Sequence, residues 1–345
     1  MKPASAARRT VFEQQAHSLS TGAYATATAV IGNVIAVAHG DGCLRLLHGN
    51  GQVDVVDAHQ GAVLSLALDP STGSLLSGGD DGRLVETELD GSLTEWANFG
   101  SRWVDHVAVS EHGIRACSSG RAVHVWRPGA PKPDVLEQPS SVGGLAFSPS
   151  GNRLAVAHYG GISIWQRRAK RGWQRSQLSW AGSHIGVTWS PNGQYLISSM
   201  QESELHGWRM RDRTDMAMSG YANKVRAWDW CGVEPYLLTS GSALPVCWPF
   251  DGARGPMGRA PLTCGTLADG WVSQVCALSG TRAFMAGFQD GTVHLLDLDA
   301  TEPARVLRYA NGAEVTAMAV TRRLELLAVG DAEGHLLWAP LARGS

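Results

Sequence analysis

The sequence predicts an all-β fold in which one small unit of strands is used again and again, and three observations carry that prediction. An apolar strand, a Pro or Gly turn, a second apolar strand ending in small residues, a Gly/Asp turn and a third strand recur in steps of about 40 residues, with one step near 48. Glycine makes up 41 of 345 residues and charged residues only 17%, a balance that suits short strands joined by tight turns. The turn before the third strand also keeps its character: Gly40 to Gly42, Asp80 to Gly82, Ser119 to Arg121, Tyr159 with Gly160, Glu202 with Ser203, Ser242 with Ala243, Asp290 with Gly291, and Glu333 with Gly334.

The unit is fullest where Val142 to Phe147 leads through Ser148, Pro149 and Gly151 to Leu154 to Ala157, and then through Gly160 to Ile162 to Trp165. Val187 to Ser190, Tyr195 to Ser199 and Leu205 to Trp208 repeat it. Eight cores follow, at approximately 24–48, 62–88, 103–127, 141–166, 184–209, 225–249, 272–297 and 314–339. Trp126, Trp165, Trp208 and Trp248 close third strands at one equivalent position, with Leu47, Thr87 and Leu296 substituting elsewhere. Such strands have two faces to cover, each blade covers its neighbour, and the row must close into a ring. The prediction is a single β-propeller spanning the chain, with eight four-stranded blades and seven as the alternative count. The last third strand ends at Trp338, too near the C-terminus for a turn and a fourth strand. Thr10 to Gln14 is therefore expected to supply the missing strand and close the ring.

These residues and this period resemble the WD-repeat propeller family over essentially the whole chain. The resemblance implies a buried hydrogen-bond network of His59, Ser77 and Asp81, a set complete only in the second blade. No blade has the full Trp-Asp ending, and Thr87 stands where the family's Trp would. It also implies a protein- or peptide-binding scaffold.

A net charge of −2 and a pI near 6.6 give no field to draw the chain onto nucleic acid or an anionic membrane. Met1 to Gln15 lacks the apolar stretch of a secretory signal, and no run approaches the roughly 18 residues of a membrane span. Cys43, Cys117, Cys231, Cys247, Cys264 and Cys276 lie scattered, mostly inside apolar strand patterns, so small buried hydrophobes in a reducing cytoplasm are expected. GxSxG, HExxH and GxxxxGK[ST] are missing, and the Gly-rich turns lie between strands, where no helix N-terminus can meet a phosphate. The expectation is a non-catalytic protein without a cofactor.

In a ring of blades, the loops entering first strands and leaving second strands gather on one rim around the channel. The residue before the first strand is Trp103 in the third repeat, Lys224 in the sixth, Trp271 in the seventh and Glu314 in the eighth. Arg102, Trp103, Lys224, Arg226, Trp271 and Phe288, the last at the position of His39, are the candidate partner-binding residues. Trp103 and Trp271 could instead fold down between blades. A basic hairpin at Arg167, Arg168, Lys170, Arg171, Trp173 and Arg175 falls on the opposite face. It could touch phosphates or an acidic peptide, or simply blunt an outer strand. His39, His59, His158 and His184, with His106 nearby, lie on or near the rim and offer the alternative function, zinc or small-ligand binding for storage, sensing or hand-over. Of the rim acids Asp41, Asp81 and Asp105, the first two are expected to cap their own turns.

Overall fold

A computed structural model describes residues 9–168, 172–252, 254–299 and 304–341. The chain forms one all-β propeller, and among the described residues the strands pair into seven antiparallel sheets. Six sheets have four strands, and their first strands are Ala25–Ile31, Val63–Asp69, Val107–Val109, Trp228–Cys231, Val272–Ala277 and Val315–Val320. The seventh has six strands in sequence order, from Gly144–Phe147 to Thr214–Met218, and contains two long strands, Arg153–Arg168 and Gly172–Trp189.

Counted by sheets the propeller has seven, the alternative count, and not eight separate blades, because the fourth and fifth repeats share one sheet. The reason is local. Tyr159, in the tight turn of the fourth repeat, pairs with Ser183 in the connection to the fifth, so hydrogen bonding continues across the boundary. Gly160 and Gly161, at φ 84° and 139°, allow that turn. The halves of the shared sheet still pack face to face: Ile162, Leu178, Val187, Trp189 and Trp208 form one buried cluster between them.

Equivalent clusters fill the other junctions. Val123, Leu136, Leu154 and Val156 join the third and fourth repeats, and Ile35, Leu47, Ala328 and Trp338 join the last repeat to the first. Each fully buried Leu, Ile or Val contributes roughly 1.5–3 kcal/mol, so the ring is held by its junctions. First strands neighbour one another around the axis, and Trp230 Nε1 donates to Thr188 Oγ1 (3.1 Å) where the fifth repeat meets the sixth.

The closing strand is corrected. Thr10 to Gln14 does not enter the sheet; Val11–Gln15 is a single helical turn. Thr10 Oγ1 accepts from Glu13 N at 3.1 Å and Glu13 Oε2 from Thr10 N at 2.8 Å, a capping box that outweighs the β-propensity of Val11 and Phe12. Phe12 is buried against Met285, Leu307 and Leu327. The next segment, His17–Ser20, pairs antiparallel with His335–Pro340, His17 opposite Trp338. Among the described residues, no helix is long and apolar enough to cross a membrane.

Candidate partner-binding rim

The turns around the sixth and seventh first strands are locked by backbone bonds. Asn223 N donates to Gly241 O (3.0 Å), Gly241 N to Val272 O (3.0 Å), Val272 N to Ser242 O (2.9 Å) and Gln289 N to Trp271 O (3.1 Å). Gly241, at φ 91°, makes the turn, and an added Cβ would meet Asn223 O at 2.8 Å. Ser240 Oγ accepts from Arg226 N and Ala227 N at 3.2 and 3.0 Å.

This lattice fixes a cavity of about 370 Å³ that brings together Lys224, Arg226, Trp271 and Glu314, with Asn223 and Gln289 between them. The four come from the entrances to three successive first strands, in the sixth, seventh and eighth repeats. Trp271 is 37% exposed. Its backbone is held while its ring stays accessible, as a binding aromatic requires. Two cations and one carboxylate give the cavity a net positive charge, and no ion pair links them among the described residues.

The other candidates fall elsewhere. Arg102 is exposed and Trp103 is 57% exposed, so the ring faces solvent, but neither lines the cavity. Phe288 is corrected: its side chain is fully buried, packed edge-on to His294 (5.0 Å) inside the sixth–seventh junction. His39 is buried too, so the equivalence of the two positions, each the last residue of a second strand, holds.

The four candidate histidines belong to four different repeats, and each is bonded locally. His59 Nδ1 pairs with Asp81 Oδ1 (3.0 Å) and Nε2 with Ser77 Oγ (2.8 Å), which is the expected network. Thr87, at the end of the third strand of the same repeat, is buried with its hydroxyl unbonded. His158 Nε2 meets Ser163 Oγ (2.9 Å), His184 Nδ1 meets Ser198 Oγ (2.8 Å), and His39 Nδ1 meets Val37 O (3.1 Å). Burial lowers the pKa of all four, His39 to about 4, where the Arg45 charge adds to the effect. Among the described residues, no three His, Cys, Asp or Glu side chains gather as a metal site.

Sequence reasoning missed a related network in the sixth repeat. Tyr221 Oη bonds Thr239 Oγ1 (2.8 Å) and accepts from Trp248 Nε1 (2.7 Å). Tyr221 and Thr239 stand 18 residues apart, as His59 and Ser77 do, and that spacing was the available signal.

The two turn acids behave as expected. Asp41 is gripped by both Nη atoms of Arg45 (3.1 and 2.7 Å), which lowers its pKa to about 2, and Asp81 accepts from the backbone of Gln60 and Arg83. All six cysteines are free thiols. Burial pushes Cys231 up to about 12, away from thiolate chemistry.

Ring and repeat together define a β-propeller, with one blade held by a bonded histidine. The family model for the WD domain, G-beta repeat matches residues 50–85, the stretch that holds His59, Ser77 and Asp81. No curated protein matches the chain. Among solved structures it is similar to the computationally designed Ika8 protein, with TM-score 0.73 and 17% identity over 95% of this chain and 100% of that one. It is also similar to U3-55K, with TM-score 0.60 and 14% identity over 82% of this chain and 97% of that one. At such identities the likeness shows the fold alone.

Proposed function

We propose that this protein is a non-catalytic scaffold of the cytoplasm that binds a protein or peptide partner at the rim cavity of Lys224, Arg226, Trp271 and Glu314. One observation carries the reading: four side chains suited to recognition stand together on a rigid turn lattice, around about 370 Å³ of open space. The cations fit an acidic group on the partner, Trp271 an apolar or aromatic one, and Glu314 a basic one. Six free thiols support the cytoplasmic assignment. Affinity purification of the full chain beside a Trp271→Ala, Lys224→Glu double variant, compared by quantitative mass spectrometry, tests it. A defined partner set should fall on the order of tenfold with the double variant, while Trp103→Ala leaves it intact and both variants melt like the parent. Equal recovery from parent and double variant refutes the cavity, and the same loss with Trp103→Ala refutes its position.

A further inference from the structure

The face opposite the rim carries a groove of about 530 Å³ between the third and fourth repeats. Three turns and the end of one strand build it. His112 comes from the turn after the first strand of the third repeat and Arg127 from the turn after its third strand. Ser150 and Asn152 come from the first turn of the fourth repeat, and Arg167 from the end of its third strand. Among the described residues, no lining residue is acidic, and the neighbouring Arg168 is exposed. Lys170 and Arg171, the rest of the basic hairpin, lie outside the described residues and are not needed. At the margin, Asp134 Oδ2 is shared between Arg127 Nε (3.2 Å) and Trp173 Nε1 (3.1 Å), so one carboxylate only partly answers the Arg127 guanidinium.

We propose that this groove docks a phosphorylated serine or threonine in a segment of a partner protein. The Ser150 hydroxyl is already donated to Asn152 Oδ1 (2.8 Å), but two guanidiniums from different repeats, the His112 imidazole and the Asn152 amide line the groove. That is more donor capacity than a carboxylate's two oxygens use, and it suits the three acceptor oxygens and nearly double charge of a phosphate. The volume leaves room for flanking peptide residues. A nucleic acid is a poorer fit, because continuous polyanions are held by long basic tracks with open aromatic faces. Here the Trp173 indole is tied to Asp134, Trp165 packs into the third–fourth junction, and the chain's net charge is −2.

Fluorescence anisotropy on the full chain tests this with two nonapeptide pools, degenerate except for a central phosphoserine or a central serine. The phosphorylated pool should bind at least about tenfold more tightly, and Arg127→Gln and Arg167→Gln should each weaken it by about tenfold. Inorganic phosphate should compete, and Trp271→Ala should change nothing, which separates this site from the rim. Equal binding of the two pools overturns the proposal. So does a phosphate preference that survives in the double arginine variant with an unchanged melting curve, or tighter binding of a single-stranded RNA than of the phosphopeptides.

Discussion

Replacing Arg115 by alanine should be among the most damaging single changes in the frame. Arg115 opens the second strand of the third repeat and reaches back into the second. Its Nε donates to Asp69 Oδ2 (2.6 Å), and Nη1 and Nη2 donate to Glu86 Oε2 and Oε1 (2.8 and 2.5 Å). Its guanidinium lies 4.3 Å above the Trp96 ring, whose Nε1 also donates to Glu86. All three charged residues are buried. Burial alone would raise both carboxyls, but hydrogen bonds, those from Arg115 among them, outweigh it and hold both below the usual range. Without the guanidinium, two buried carboxylates stand uncompensated, a loss of about 3–5 kcal/mol. With a urea dependence of roughly 3 kcal/mol per molar, the unfolding midpoint should fall by about 1–1.7 M. The pH dependence is the sharper check. In Arg115→Ala the carboxylates lose the bonds that offset burial, titrate higher than in the parent and take up protons as the pH falls, which relieves their penalty. The gap between variant and parent should therefore narrow from pH 7 to pH 4.5. A midpoint loss worth less than about 1 kcal/mol at pH 7, or a gap as wide at pH 4.5, would show that the clamp is not electrostatic.

Acid should weaken the ring through its buried histidines. Burial holds His39 and His206 near pKa 4, so the unfolded chain gains their protons below pH 6.5 before the folded one does. Their stabilisation is complete above pH 6.5 and declines by up to about 1.4 kcal/mol per pH unit for each, down to about pH 4. His206→Phe keeps a ring against Trp180, now stacked at 3.8 Å, and should remove one histidine's share of the slope between pH 7.5 and 5 in urea titrations; an unchanged slope refutes it. Gly82→Ala should cost roughly 2–5 kcal/mol, since φ is 77° and the new Cβ would lie 2.1 Å from Gly100 O. Gly73→Ala, at φ 72° with open space, should cost only about 1–2 kcal/mol, and thermal melts showing equal losses would refute the steric argument.

The frame was legible because its determinants are local and repeated. Alternating strands, Ser-Pro and Gly turns, and the His59, Ser77 and Asp81 set need only the period of the chain to be seen. The errors came where one pattern permits two structures. Thr10 to Gln14 holds apolar residues that suit a strand and a Thr-x-x-Glu box that suits a helix, and the box prevailed. Phe288 shares the register position of His39, but register fixes a residue's place along a strand and not the space its side chain enters. Arg115 was unreadable for a related reason: a cation at the start of a strand looks solvated until the neighbouring repeat brings Asp69 and Glu86 beneath it. On the rim, Lys224, Trp271 and Glu314 occupy one equivalent position in consecutive repeats, so ring order alone makes them neighbours, and Glu314 could have been chosen with the others. Ser203 and Gln289 come from different turns and needed the folded chain. A physical criterion separates the two groups. The four histidines and Phe288 are buried at their ends of the blades, bonded or packed within the frame, whereas Arg226 and Trp271 have their backbones fixed by neighbours and, with Lys224, their side chains left to the cavity. A rigid backbone under an unengaged side chain is the arrangement that lowers the entropic cost of binding, and on this rim it singles out the entrances to the sixth and seventh repeats.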